Sequence, residues 1–371
     1  MKLYAQHGFS DGGKILKGVA EGYIDGVIYS PRDIAFARLC DELASVRKTR
    51  RDADRFFDPQ YYAGYNVSDP EARLGRLETC DEYQSFFRSR TRRQLEGSRD
   101  LLRKDIEDCL TFQRPLSLSG VISPNILISR SFDSIDAVVS KNFIREAGRV
   151  HTRLRCAKPL YVTLAVSREA LMDRAELFSF LEDITILDPP PRGFYVLVAA
   201  RSGDARTDIF NADVIAGWML MNRSLSVNGF EVVNGYSDVL TPFLGIAGAT
   251  AGATGWWSNL RVFSLSRFLP AGGGRLPIPR YLSTRLLNRI SYVELSQLVG
   301  LRETGDFLPE IRNGLATDAL YPAKTGYEPD RADEVLQSWE AIRCLCSDLS
   351  GADPNESLTQ VTLLRGSVCW Q

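Results

Sequence analysis

The sequence predicts a (β/α)8 barrel of the TIM type, with an insertion after its third strand and a helical appendage at its C-terminus. Three observations point there. Short apolar runs of strand length recur eight times, and nearly all are followed by a helical pattern, as parallel βα units require. The eight units fill about 250 residues, the size of a closed barrel. The alternative, an open doubly wound sheet, ordinarily carries a Gly-rich phosphate turn after its first strand, but Gly8, Gly12 and Gly13 do not form GxGxxG.

In order along the chain, the expected strands are Leu3–His7, Gly26–Ser30, Asp54–Asp58, Gly120–Ser123 or the neighbouring Asn125–Ser129, Leu160–Ser167, Gly193–Ala200, Glu231–Gly235 and Thr250–Trp256. The helices between them include Asp33–Arg47, opened by Ser-Pro, then Gln94–Cys109, Ser134–Arg155, Arg168–Asp183 and Asn211–Asn228. Their apolar residues recur at three and four. Ile34, Ala37, Leu39 and Leu43 share or adjoin one face of the Asp33–Arg47 segment, leaving Arg38, Asp41 and Glu42 for water. Tyr61–Arg93 is too long for a simple barrel loop and reads as an insertion. The barrel is expected over residues 1–268. The Gly/Pro-rich stretch Leu269–Arg280 reads as a linker, and Tyr281–Gln371 as the appendage, with a helix over Ala332–Leu349.

Composition narrows the function classes. Of 371 residues, 44% are hydrophobic and 25% charged, which is globular and not disordered, collagenous or coiled-coil. Lys+Arg number 45 against 46 Asp+Glu, so no global field draws in nucleic acid or an anionic membrane. The 22 uncharged residues between Asp238 and Arg261 contain four glycines, a proline and three threonines, and read as a buried helix and strand, not as a membrane span. The N-terminal MKLYAQHGFSDGG has no apolar stretch of signal-peptide length. Seven cysteines, an odd number, suggest reduced thiols and a cytoplasmic protein. Cys344 and Cys346 lack partners at zinc spacing, and His7 and His151 are the chain's two histidines, so neither a metal nor another cofactor is expected.

A (β/α)8 barrel does its chemistry at the C-terminal ends of its strands. The residues expected there are His7, Arg32, Asp33, Asp58, Gln60, Ser123, Ser167, Arg201, Tyr236, Asp238, Trp256, Trp257, Asn259 and Arg261. Asp33, before Ile-Ala-Phe-Ala, reads as a helix cap, with ligand contact by Arg32 or Asp33 as the alternative. Asp58, in Phe-Asp-Pro-Gln, opens a turn or serves as nucleophile or general acid/base, and Asp238 caps a helix or stands in for it. Tyr61, Tyr62, Tyr65, Tyr236, Trp256 and Trp257 offer planar faces suited to a base or sugar. Two arginine clusters, at 47–51 and at 88–93 with Arg90, Arg92 and Arg93, either track nucleic-acid phosphates or are solvated helix ends diluted by neighbouring acids.

The segment Val232–Trp257 reads Val-Val-Asn-Gly-Tyr-Ser-Asp, then Leu-Gly-Ile-Ala-Gly-Ala, then Thr-Ala-Gly-Ala-Thr-Gly-Trp-Trp. It resembles the seventh and eighth units of the queuine-type tRNA-guanine transglycosylase barrels and their DNA-modifying relatives. There a strand ending in Gly leads through a short helix to a strand carrying the nucleophilic aspartate. The resemblance covers about 26 residues and rests on glycine placement. Here Thr250–Trp257 holds no carboxylate, no Asp-Ser-Gly-Gly-Phe motif occurs, and the family's zinc ligands are absent. The resemblance therefore implies that the carboxylate moved to Asp33, Asp58 or Asp238, or that base exchange was lost. Two functions remain in view. One is an enzyme cleaving or transferring at the C–N bond of a nucleoside or nucleic acid, with Asp58 as nucleophile or base, Arg32 and Arg201 on phosphate, and Trp256 or Trp257 stacking. The other is a non-catalytic subunit that docks a protein partner through Tyr281–Gln371.

Overall fold

The structure, a computed structural model, describes residues 1–67, 72–201, 211–270, 278–300, 308–320 and 329–350. Most of the expected linker, and residues 351–371 of the expected appendage, lie outside the described residues.

Nine strands are named β1 (Lys2–Gln6), β2 (Gly26–Tyr29), β3 (Asp54–Phe57), β4 (Val121–Ile122), β5 (Leu127–Ile128), β6 (Leu160–Ser167), β7 (Gly193–Ala199), β8 (Glu231–Asn234) and β9 (Ala251–Thr254). They form one parallel sheet in the order β3-β2-β1-β9-β8-β7-β6-β4, with β5 also on β6. The ends of this order meet. Ser119, just before β4, donates its backbone N–H to Arg55 O of β3 at 2.9 Å and accepts from Arg55 N through its hydroxyl at 3.1 Å. The chain is a (β/α)8 barrel.

Nine segments make eight positions because β4 and β5 are halves of one strand. Four residues separate Ile122 from Leu127, whereas their partners Tyr161 and Ala165 are separated by three. The extra residue falls at Ser-Pro-Asn, where Pro124 has no N–H to give the ladder. Side chains replace the missing bonds. Thr163 Oγ1 donates to Ser123 O at 2.6 Å, and Asn125 Nδ2 donates to Thr163 O at 2.7 Å. Both segments weighed for the fourth strand are therefore present.

Helices Lys14–Ala20, Phe36–Thr49, Arg99–Gln113, Ile135–Arg153, Arg174–Thr185, Ala212–Val227 and Thr241–Ile246 follow the first seven strand positions. Ser134, Asp173 and Asn211 cap three of them through side-chain oxygens. The expected insertion between β3 and its helix is four short helices, from Tyr61–Asn66 to Arg92–Gly97. Three helix starts need correcting. The helix expected from Gln94 is split at Ser98 into Arg92–Gly97 and Arg99–Gln113, and the one expected from Arg168 begins at Arg174 after the 3-10 turn Ala170–Met172. The one expected from Asp33 also starts later. Pro31–Asp33 is a separate 3-10 turn and the helix begins at Phe36, so Asp33 caps nothing.

The eighth helix is Arg331–Ser350, within the segment expected as an appendage. It enters the barrel wall beside the first helix and β1. Trp339 is fully buried, its indole N–H reaches Thr254 O of β9 at 3.4 Å, and its ring occupies the space that a Cβ on Gly18 would fill. Farther along, Arg343 bonds Met1 O and pairs with Asp25 at the N-terminal end of the strands. Between β9 and this helix lies an antiparallel hairpin, β10 (Arg280–Ser283) and β11 (Asn288–Ser291), held to the helix by the Gln337 amide on Leu282 N and O. Cutting the chain after residue 268 would remove this helix from the core that it completes.

Candidate functional site

The barrel interior is layered. Tyr4, Phe56 and Tyr161 come from strands that are not neighbours, yet their rings meet at 5.7 and 5.1 Å, so they fill the lumen. Above them, two residues on along β1 and β3, the lining turns polar, with Gln6 and Asp58.

Asp58 is the centre of this polar layer. It follows β3, has no exposed surface, and is anchored through its N–H to Tyr29 O at 2.9 Å. One carboxylate oxygen accepts from Gln60 N at 2.9 Å. The other accepts from the Tyr62 hydroxyl at 2.9 Å and, across the barrel, from the Tyr195 hydroxyl at 3.2 Å. Burial pushes the carboxyl up to about 6, against the opposing pull of these donors and of Arg267. Gln60 holds its backbone at φ 50°, and Tyr236 and Asp238 beyond β8 have φ 55° and 42°. Non-glycine residues in this region cost of order 1 kcal/mol each and concentrate at working sites.

A roof covers Asp58. After β9 the chain crosses the mouth, Phe263 pairs in parallel with Ala199 at the end of β7, and Ala200 N donates to Phe263 O at 2.9 Å. The 3-10 turn Leu265–Phe268 then lowers Arg267 and Phe268 into the mouth. Tyr62 packs edge-on against Phe263 and Phe268, at 5.0 and 6.2 Å. Arg267 bonds the Tyr236 hydroxyl, pairs with Asp33 at 2.9 Å, and keeps a buried Nε without a hydrogen-bond partner. Asp33 also pairs with Arg32 at 2.7 Å, and Arg32 N donates to Gln60 Oε1 at 3.2 Å. Of the expected site residues, Asp58, Gln60, Arg32, Asp33 and Tyr236 thus form one connected network.

The others do not join it. Asp238 is clasped by both terminal nitrogens of Arg289 in β11, at 2.5 and 2.7 Å, and accepts from Thr254 at 2.6 Å; burial would raise its pKa, but Arg289 holds it below the ordinary value. Arg261 bonds Gly255 O and pairs with Glu334 at 3.0 Å, stapling the eighth helix to the last strand. Arg201 reaches out to Glu169 at 2.7 Å. Asn259 is half-buried beside these elements. Trp256 and Trp257 offer no free stacking pair, since Trp256 is buried and Arg331 lies 5.1 Å over Trp257. Both indoles instead donate to Phe9 O, at 2.9 and 3.2 Å.

The two arginine clusters sit at opposite ends of β3. Residues 47–51 end the helix that precedes it, whereas 88–93 belong to the insertion that follows it, so they line no common groove. Arg90 is committed to buried Asp105 at 2.6 Å and Arg92 to Glu96 at 2.6 Å, while Arg93 is exposed.

Beside the roof, between the first two barrel units, opens a cleft of about 830 Å3 lined by His7, Phe9, Asp11, Arg32, Asp33, Arg38 and Arg76, among others. Nothing in the sequence marked Phe9, Arg76, Tyr195 or Arg267. They come from a loop, a short helix of the insertion, a strand interior and the roof, and only the closed barrel assembles them. Among the described residues no group of three His, Cys, Asp or Glu could hold a metal ion, and no helix is long and apolar enough to cross a membrane.

No protein-family model matches the sequence, and no curated protein does. Solved structures similar to the chain include a 3-hexulose-6-phosphate synthase, at 13% identity over 69% of this chain and 90% of that one, with a TM-score of 0.35. A thiamine phosphate pyrophosphorylase from Pyrococcus furiosus matches at 10% over 72% and 91%, with a TM-score of 0.32. A 3-dehydroquinate dehydratase from Aquifex aeolicus matches at 10% over 72% and 95%, with a TM-score of 0.35. The fold assignment rests on the strand order and closure described above.

Proposed function

We propose that the chain is a barrel enzyme in which Asp58 is the acid–base group for cleavage or transfer at the C–N bond of a nucleoside. The observation that carries this reading is the Asp58 carboxyl, held at the C-terminal end of the third strand by two tyrosines and a backbone N–H and raised to about 6. A carboxyl that titrates near neutrality both gives and takes a proton. Breaking a glycosidic C–N bond passes through an oxocarbenium-like state, which a nearby carboxylate stabilises while the departing base takes up a proton. The transglycosylase resemblance supports the same chemistry. With no carboxylate on β9, the role falls to Asp58. Substrate reaches it when Leu265–Phe268 lifts from the mouth.

One observation favours a second reading, a non-catalytic binding subunit: Asp58 is enclosed and both its oxygens are satisfied by the chain itself. A base-release assay over a panel of nucleosides and nucleotides separates the two. The enzyme reading expects turnover of at least one compound, and a loss of about 100-fold or more in Asp58→Asn with the fold retained, because tyrosine hydroxyls can rotate to accept from the new amide. Full activity in Asp58→Asn removes Asp58 from the chemistry. No turnover, together with a partner held at fixed stoichiometry, supports the binding subunit.

A further inference from the structure

We infer that the cleft between the first two barrel units binds a nucleoside monophosphate, with Phe9 stacking on the base and Arg76 taking the phosphate. The inference rests on the reading above for the nature of the ring and goes beyond it in naming a charged substrate and the residues that select it.

Several features converge. The cleft's 830 Å3 or so falls in the range of small-ligand sites, about 300–1,000 Å3. Its acids are engaged within the chain. Asp11 accepts from Gly13 N and Ile15 N, at 2.9 and 3.1 Å, and Asp33 is shared by Arg32 and Arg267. Arg38 pairs with Glu42, whereas Arg76 is exposed and makes no ion pair among the described residues. That leaves a guanidinium fork to meet a phosphate.

Arg76 is put there deliberately by its neighbour. Gly75 sits at φ +59°, and a Cβ on it would lie 2.6 Å from Arg32 O, so the insertion seats on the β2 loop at a position that favours glycine. Phe9, also in the lining, is 73% exposed, an unusual state for a large ring whose backbone is pinned by two indole N–H groups. His7, 2% exposed, completes the lining, and its Nδ1 has no hydrogen-bond partner. Burial lowers this imidazole to about 4, so near neutrality it brings no charge to the floor of the cleft.

Calorimetric titration with the four ribonucleoside monophosphates, the matching nucleosides and inorganic phosphate tests the inference. At least one monophosphate should bind more tightly than its nucleoside and than phosphate alone. Arg76→Glu should weaken that monophosphate about tenfold or more and leave the nucleoside unchanged. Phe9→Ala should weaken both and leave phosphate unchanged. Wild-type binding without turnover defeats the catalytic reading and leaves this one standing. Absence of binding by every monophosphate, equal binding of phosphate alone, or an Arg76→Glu variant with wild-type affinity overturns it.

Discussion

Asp58 and His7 are buried titratable groups at the ends of β3 and β1, with β2 between them, and burial moves them in opposite directions. Asp58 is raised to about 6 from an unfolded value near 3.9. The folded state therefore binds the extra proton between those values, and the stability it contributes, about 3 kcal/mol, is full below about 4 and lost as pH rises through 6. His7 is lowered to about 4 from about 6.5. Its contribution is present above about 6.5 and lost as pH falls toward 4. The two slopes oppose each other between about 4 and 6. Relative to the wild type, Asp58→Asn should gain stability with rising pH over this window, and His7→Gln should lose it, as read by urea midpoints at each pH. Parallel profiles for all three proteins would refute these environments. Asp58 and Asp238 look alike in the sequence, each an aspartate just past a strand. What separates them is Arg289, 51 residues beyond Asp238 on a hairpin, a partner that no local pattern announces.

At the scale of elements, the strands were legible because a parallel barrel buries both strand faces, leaving continuous apolar runs such as Leu160–Ser167. The fourth was ambiguous because it is physically broken at Pro124, with the ladder completed by Thr163 and Asn125 side chains. The eighth helix was seen as a helix but not as barrel wall. βα loops ordinarily run about 2–6 residues, and here a hairpin and further helices intervene between Thr254 and Arg331. The packing of Trp339 against Gly18 and β9 makes the helix integral. Trp339→Ala should cost about 3–5 kcal/mol, measured by chemical denaturation, and a chain ending at 268 should expose core to hydrophobic dyes. A truncated chain with native near-ultraviolet circular dichroism and unchanged stability would show the helix to be a mere attachment.

For the whole molecule, chain order and closure bring to one mouth residues that are far apart in sequence: Asp58 from β3, Tyr195 from β7, Tyr236 after β8 and Arg267 from the roof. Half of that site was readable, the half that directly follows strands. Tyr195 lies inside a strand whose two faces are both apolar, and Arg267 lies in a segment without periodicity, so only three-dimensional closure reveals them. The same closure separates the arginine clusters to opposite ends of β3, which favours a small substrate over a polynucleotide track. On the reading proposed above, this mouth keeps a carboxyl poised to exchange a proton near neutrality. Carbon-13 NMR of side-chain carboxyls, titrated from acid to neutral pH and compared with Asp58→Asn to assign the resonance, tests it most directly. A midpoint of about 6 is the expected result; a midpoint at or below about 4, that of an ordinary solvated aspartate, would take Asp58 out of the acid–base role.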